Sequence, residues 1–67
     1  MNNEPMFFEQ QATVCRVLHE DWEWQVQFQG SYWTARSVDT SITFRPNDRV
    51  DVVGRKNLLL LIQPTTL

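Results

Sequence analysis

The stretch DWEWQVQFQGSYWTARS, Asp21 to Ser37, decides the fold and holds all three tryptophans of the chain. From Trp22 the residues alternate strictly, so Trp22, Trp24, Val26 and Phe28 fall on one face and Glu23, Gln25, Gln27 and Gln29 on the other. That period of two describes a half-buried β-strand. Tyr32 to Ser37 alternates as well, and Gly30 marks the turn between the two runs. A two-residue turn, whether Gly30-Ser31 (type II′, preferred because Gly comes first) or Gln29-Gly30 (type I′), pairs even positions with odd ones. Trp33 and Ala35 then join Trp24, Val26 and Phe28 inside. The preferred register sets Phe28 against Trp33 and Gln25 against Arg36, with Trp22 only partly covered at the open end. A three-residue loop would put Trp33 among the glutamines, because a one-residue slip turns over every side chain.

Working outward, Ala12 to Leu18 is β-branched and strand-like but apolar on both faces, so its inward side is not assigned, and His19-Glu20-Asp21 forms the turn into the tryptophan strand. Val38 to Ile42 is a longer polar connection, followed by a turn on Pro46-Asn47-Asp48. Val50 and Val52 start a fourth strand, Gly54-Arg55-Lys56-Asn57 turns the chain, and Leu58 to Ile62 forms the fifth, ended by Pro64. Five short strands with a long third connection predict an all-β, five-stranded OB-fold-like barrel, with an SH3-like barrel as the alternative. The barrel is expected over residues 11–64, with a flexible segment at 1–10 and a tail at 65–67.

A chain of 67 residues makes one small domain that hides only about 60 % of its unfolded surface, so its core is thin. Cys15 is the only cysteine, which excludes an intramolecular disulfide and suits a reducing, cytoplasmic setting. The longest apolar run, Leu58 to Ile62, is far short of the roughly 20 residues of a spanning helix. Net charge is −2, yet residues 34–67 hold five of the six basic residues.

The order W-x-A-x-S (Trp33, Ala35, Ser37), the unit at Phe44, Asn47 and Val50, then V-x-V-V-G (Val50, Val52, Val53, Gly54) and L-x-I-x-P (Leu60, Ile62, Pro64) resembles the C-terminal soluble domain of NfeD-like proteins over residues 12–64. The resemblance implies a five-stranded OB barrel implicated in protein association. It also implies membrane-bound full-length members whose genes accompany stomatin- or flotillin-like partners, some with a serine-protease domain. This sequence shows neither membrane helices nor a protease portion, and Asn47 stands where the family usually has Gly. Asn tolerates the left-handed backbone such a turn needs.

The inventory for catalysis is poor. His19 sits beside Glu20 and Asp21, but adjacent residues point apart and no nucleophile is suitably spaced, so it reads as a loop histidine. Cys15 beside Arg16 reads as an inert, half-buried thiol. No metal-ligand spacing or phosphate loop occurs. The expectation is a protein that is not an enzyme and needs no cofactor.

Parity also weakens a nucleic-acid platform, since the outer face of the tryptophan hairpin offers Glu23, Gln25, Gln27, Gln29, Tyr32, Thr34 and Arg36, with one aromatic and one cation. Arg36, Arg45, Arg49, Arg55 and Lys56 remain the candidates for that alternative. In the last strand Leu58, Leu60 and Ile62 share the inward parity, which leaves Leu59 and Leu61 outward, with Val53 alongside. An outward apolar stripe on so small a domain points to a protein partner or a second copy. The competing reading folds Met6, Phe7 and Phe8 back over it. Localisation is expected to be cytoplasmic, peripheral to a membrane only through a partner.

Overall fold

The computed structural model describes residues 10–65. Its strands are β1 (Gln11–His19), β2 (Glu23–Phe28), β3 (Ser31–Ser37), β4 (Arg49–Lys56) and β5 (Leu59–Pro64), closed into a barrel in the order β1-β2-β3-β5-β4. The β3–β5 contact is parallel and the other four are antiparallel. This is the OB-type barrel expected from the pattern. The expectations for residues 1–9 and 66–67, including Met6, Phe7 and Phe8 as a cover, lie outside the described residues.

The faces of the tryptophan hairpin follow its parity: Trp24, Val26 and Ala35 are buried, with Phe28 and Trp33 packed beside them. The turn, however, is Gln29-Gly30 and not Gly30-Ser31. Both residues have positive φ, 53° and 82°, as type I′ requires. Phe28 therefore pairs with Ser31, Val26 with Trp33 and Trp24 with Ala35. The observed register sets the smallest inward side chain against the largest, whereas the other would have opposed Trp24 to Ser37. A Cβ at Gly30 would meet nothing within 4 Å. Gly30→Ala is thus expected to cost about 1 kcal/mol through its left-handed backbone alone, read as a lower melting temperature with an unchanged spectrum.

Two irregularities explain why β1 is apolar on both sides. Thr13 and Val14 pair with Gln27 and Val26, but Arg16 pairs with Gln25, so Cys15 is the extra residue of a bulge; a second shift falls between Val17 and His19. Ala12 and Val14 thus point into the core, while Val17 beyond the bulge is 40 % exposed. The turn into β2 also begins one residue later than expected. His19 ends β1, Trp22 N–H donates to the His19 carbonyl at 3.2 Å, and Asp21 takes φ 76°.

The long connection closes the barrel. Arg45 to Asp48 forms a turn with Pro46 second and Asn47 third at φ 79°, bonded from Asp48 N–H to the Arg45 carbonyl at 3.1 Å. Asn47 N–H donates to the Val14 carbonyl at 2.7 Å, and Val14 N–H to that of Asp48 at 2.8 Å, tying this turn to β1. Just before it, Phe44 is buried under Trp24, whose indole N–H donates to the Phe44 carbonyl at 3.0 Å; the rings meet edge-on at 5.0 Å and 81°.

Gly54 to Asn57 is not the fourth turn. β4 runs on to Lys56, and Asn57 (φ 57°) with Leu58 makes the reversal, so Lys56 pairs with Leu59. Leu58 consequently stands on the turn, 74 % exposed, and does not fill the barrel with Leu60 and Ile62. Gly54 serves packing instead: a Cβ there would lie 3.3 Å from Leu61 Cδ1.

Candidate functional site

Two outer regions of the barrel carry the residues singled out by sequence. The first is formed by β4 and β5. A bulge between Val52 and Gly54 leaves Val53 unpaired, and Gly54 pairs with Leu61. Val53 is 49 % exposed, while Leu59 and Leu61, two apart on β5, are half-buried. Leu61 packs over Gly54, where a Cβ would lie 3.3 Å from its Cδ1, and Arg36 of β3 pairs with it on the other side. The result is a short apolar strip bordered by two cations, Lys56 opposite Leu59 and Arg36 opposite Leu61.

The five candidate cations do not form one field. Arg36 Nε donates to Glu23 Oε2 at 3.3 Å, and its Cζ lies 4.9 Å from the Trp22 ring centroid. Arg49 donates to Gln11 Oε1 at 2.9 Å. Arg55 donates to the Asn57 carbonyl at 2.8 Å and covers Trp33 at 5.0 Å. Among the described residues only Arg45 and Lys56 of this set keep side chains without such a contact.

The second region was not assembled from the sequence. The β2–β3 register places Glu23 beside Arg36 one step beyond the Trp24–Ala35 pair, and the tight β1–β2 turn brings His19 and Trp22 over them. His19 and Trp22 stack at 4.6 Å and 14°. His19 Nε2 lies 3.3 Å from Glu23 Oε1. Next to this group Asp21, Trp22, Arg36, Ser37 and Thr40 line a cleft of about 200 Å³. The cluster links residues on three elements, and the lone signal for it in the sequence was a tryptophan at the open end of a strand.

For catalysis the geometry offers little. Cys15 is half-buried with Sγ 3.7 Å from the Thr13 carbonyl. His19 faces Glu23 and Trp22, and among the described residues no hydroxyl or thiol hydrogen-bonds to it. Among the described residues no three His, Cys, Asp or Glu side chains converge on a metal position. Nor is any helix there long and apolar enough to cross a membrane.

The family model described as the NfeD-like C-terminal, partner-binding domain matches residues 8–64. The chain belongs to this family. The NfeD-like barrel is also similar to the crystal structure of the soluble domain of a membrane protein implicated in regulation of membrane protease activity from Corynebacterium glutamicum. They share 28 % identity over 82 % of this chain and 86 % of that one, with a TM-score of 0.72. The C-terminal domain of stomatin operon partner protein 1510-C from Pyrococcus horikoshii superposes with a TM-score of 0.71 and 22 % identity, over 96 % of this chain and all of that one, which is a likeness of fold. No curated protein gives a significant match. Membership agrees with the resemblance read from Trp33, Ala35, Ser37 and the later motifs, and Asn47 takes the left-handed backbone, φ 79°, that its turn was expected to need.

Proposed function

We propose that this NfeD-like domain, residues 11–64, is a non-enzymatic association module that binds a protein through the outer β4–β5 surface, with Val53, Leu59 and Leu61 as the contact residues. The observation that carries it is the exposed Val53 on its bulge beside the half-buried Leu61, on a barrel too small to cover them with a second layer. Bulges re-aim side chains at the margins of a sheet, and this one turns a valine to solvent. The partner is a stomatin- or flotillin-like protein, or a second copy. The first is supported by the family resemblance and by the fold shared with a protein named as a stomatin operon partner. The setting is cytoplasmic, and any membrane contact is made through the partner.

The alternative, binding of single-stranded nucleic acid, loses force from the contacts that occupy Arg36, Arg49 and Arg55. Titration of the isotopically labelled chain with a stomatin-like domain, beside sedimentation over a range of concentrations, tests the proposal. Val53→Glu is expected to weaken partner or self-association by about tenfold or more, as for a central apolar anchor, without unfolding a half-exposed site. A monomer at every concentration that also gives no shifts with the stomatin-like domain would rule it out. Shifts at Arg45 and Lys56 with an oligonucleotide that vanish in salt would favour the alternative.

A further inference from the structure

The association strip meets the cluster on the β1–β2 turn only at Arg36, which pairs with Leu61. Trp22 is 47 % exposed there, yet its ring is held by the His19 stack and the Arg36 guanidinium. Glu23, with only 13 % of its side chain accessible, fixes both neighbours through its two carboxylate oxygens. An exposed tryptophan immobilised before any partner arrives has already lost the conformational freedom that binding would otherwise take away. Tryptophan and arginine are also the side chains most often found as interface anchors.

The adjoining cleft has the wrong size for a cofactor and the right size for one side chain. At about 200 Å³ it falls below the roughly 300–1,000 Å³ of small-molecule pockets. Its surface is mostly apolar, and Asp21, Trp22, Arg36, Ser37 and Thr40 line it, the Ser37 hydroxyl being held by the Asp39 backbone. Charge then selects the occupant. The one cation on the lining, Arg36, is neutralised by Glu23 at 3.3 Å. Asp21 has no partner among the described residues, and Glu20 and Asp39 lie on the two bordering turns. Ser41, donating from its hydroxyl and its backbone N–H, holds the Asp39 carboxyl below the ordinary carboxylate range. Beside the cleft, carboxylates therefore outnumber cations.

We propose that this cleft docks a lysine or arginine side chain presented by a partner protein, its aliphatic stem along Trp22 and its cation at the Asp21 carboxylate. The proposal rests on the partner-binding reading of the domain, though not on the β4–β5 strip. An apolar wall with a carboxylate beside it satisfies both halves of such a side chain.

The test is a low-salt titration of the full labelled chain with a blocked pentapeptide carrying a central lysine between leucines, and with versions carrying glutamate or methionine instead. The lysine peptide is expected to give saturable shifts at Trp22, Asp21 and Thr40 that weaken in high salt. Asp21→Asn, which keeps a residue tolerant of φ 76°, should reduce its affinity about fivefold. Val53→Glu should leave it unchanged, so failure here is separable from failure of the β4–β5 surface. The proposal is overturned by equal or tighter binding of either control peptide, by no saturable shift, or by an unaffected Asp21→Asn variant. Concentration-dependent shifts at Trp22 in the chain alone would assign the cleft to a second copy and overturn it as well.

Discussion

Trp24→Ala is expected to abolish cooperative folding at 25 °C. Trp24 is 1 % exposed and the largest of the fully buried side chains. Removing so large an aromatic from a core costs about 3–5 kcal/mol, and a single core in a domain of this size supplies roughly 3–5 kcal/mol in all. Trp24→Phe separates packing from hydrogen bonding. It keeps a ring near Phe44 but leaves the Phe44 carbonyl without the indole donor at 3.0 Å, at a cost of about 1–3 kcal/mol. For a chain this short that lowers the melting temperature by roughly 5–20 °C. Trp22→Ala, at a half-exposed position, should move it by far less. Thermal unfolding followed by circular dichroism checks the series, and a Trp24→Ala variant that still melts cooperatively near the native midpoint would remove Trp24 from the centre of the fold.

A second large effect separates two leucines that sequence parity treats alike. Leu60 is 1 % exposed between β3 and β4, pairing with Ala35 and Arg55, whereas Leu58 is 74 % exposed on the β4–β5 turn. Leu60→Ala is expected to cost about 2–5 kcal/mol through lost burial and the cavity left behind. Leu58→Ala should stay within about 0.5 kcal/mol, as surface changes do. Chemical denaturation of the two variants gives both figures. Equal losses would mean that the chain reverses at Gly54 to Asn57 and that Leu58 packs inside after all.

The reason Leu58 misled is local. Gly54 looks like a turn residue, and nothing nearby in sequence says that Leu61 lies across it. Once Val53 bulges, β4 keeps pairing to Lys56, and the reversal falls to Asn57, which takes the left-handed conformation in its place. Leu59 and Leu61 remain two apart on one strand, whereas Val53 owes its exposure to the bulge and not to simple alternation. The cation set fared differently. Arg36 and Arg49 meet partners far along the chain, Glu23 and Gln11, and Arg55 covers Trp33 besides bonding the nearby Asn57 carbonyl; only assembled strands bring Glu23, Gln11 and Trp33 within reach.

The Trp22 cluster was legible only as separate pieces. His19 reads as a loop residue, Trp22 as a frayed strand end and Arg36 as a surface cation. Shifting the hairpin register by two residues, from Gly30-Ser31 to Gln29-Gly30, moved Arg36 from Gln25 to Glu23 and created the ion pair that organises the rest.

By itself the sequence determined which side of β2 and β3 forms the core and how many strands the chain makes, because alternation with period two is a local property and any two-residue turn preserves it. The ordered motifs from Trp33 to Pro64 also carried the family. What only the tertiary structure decided were the exact turn, the bulges at Cys15 and Val53, the Phe44 seal and the parallel β3–β5 closure. Both turns bury the same face, so hydrophobic patterning is indifferent between them. The choice falls instead to side-chain fit across strands, Ala35 against Trp24, and to hydrogen bonds between segments distant in the chain, which no short window of sequence contains.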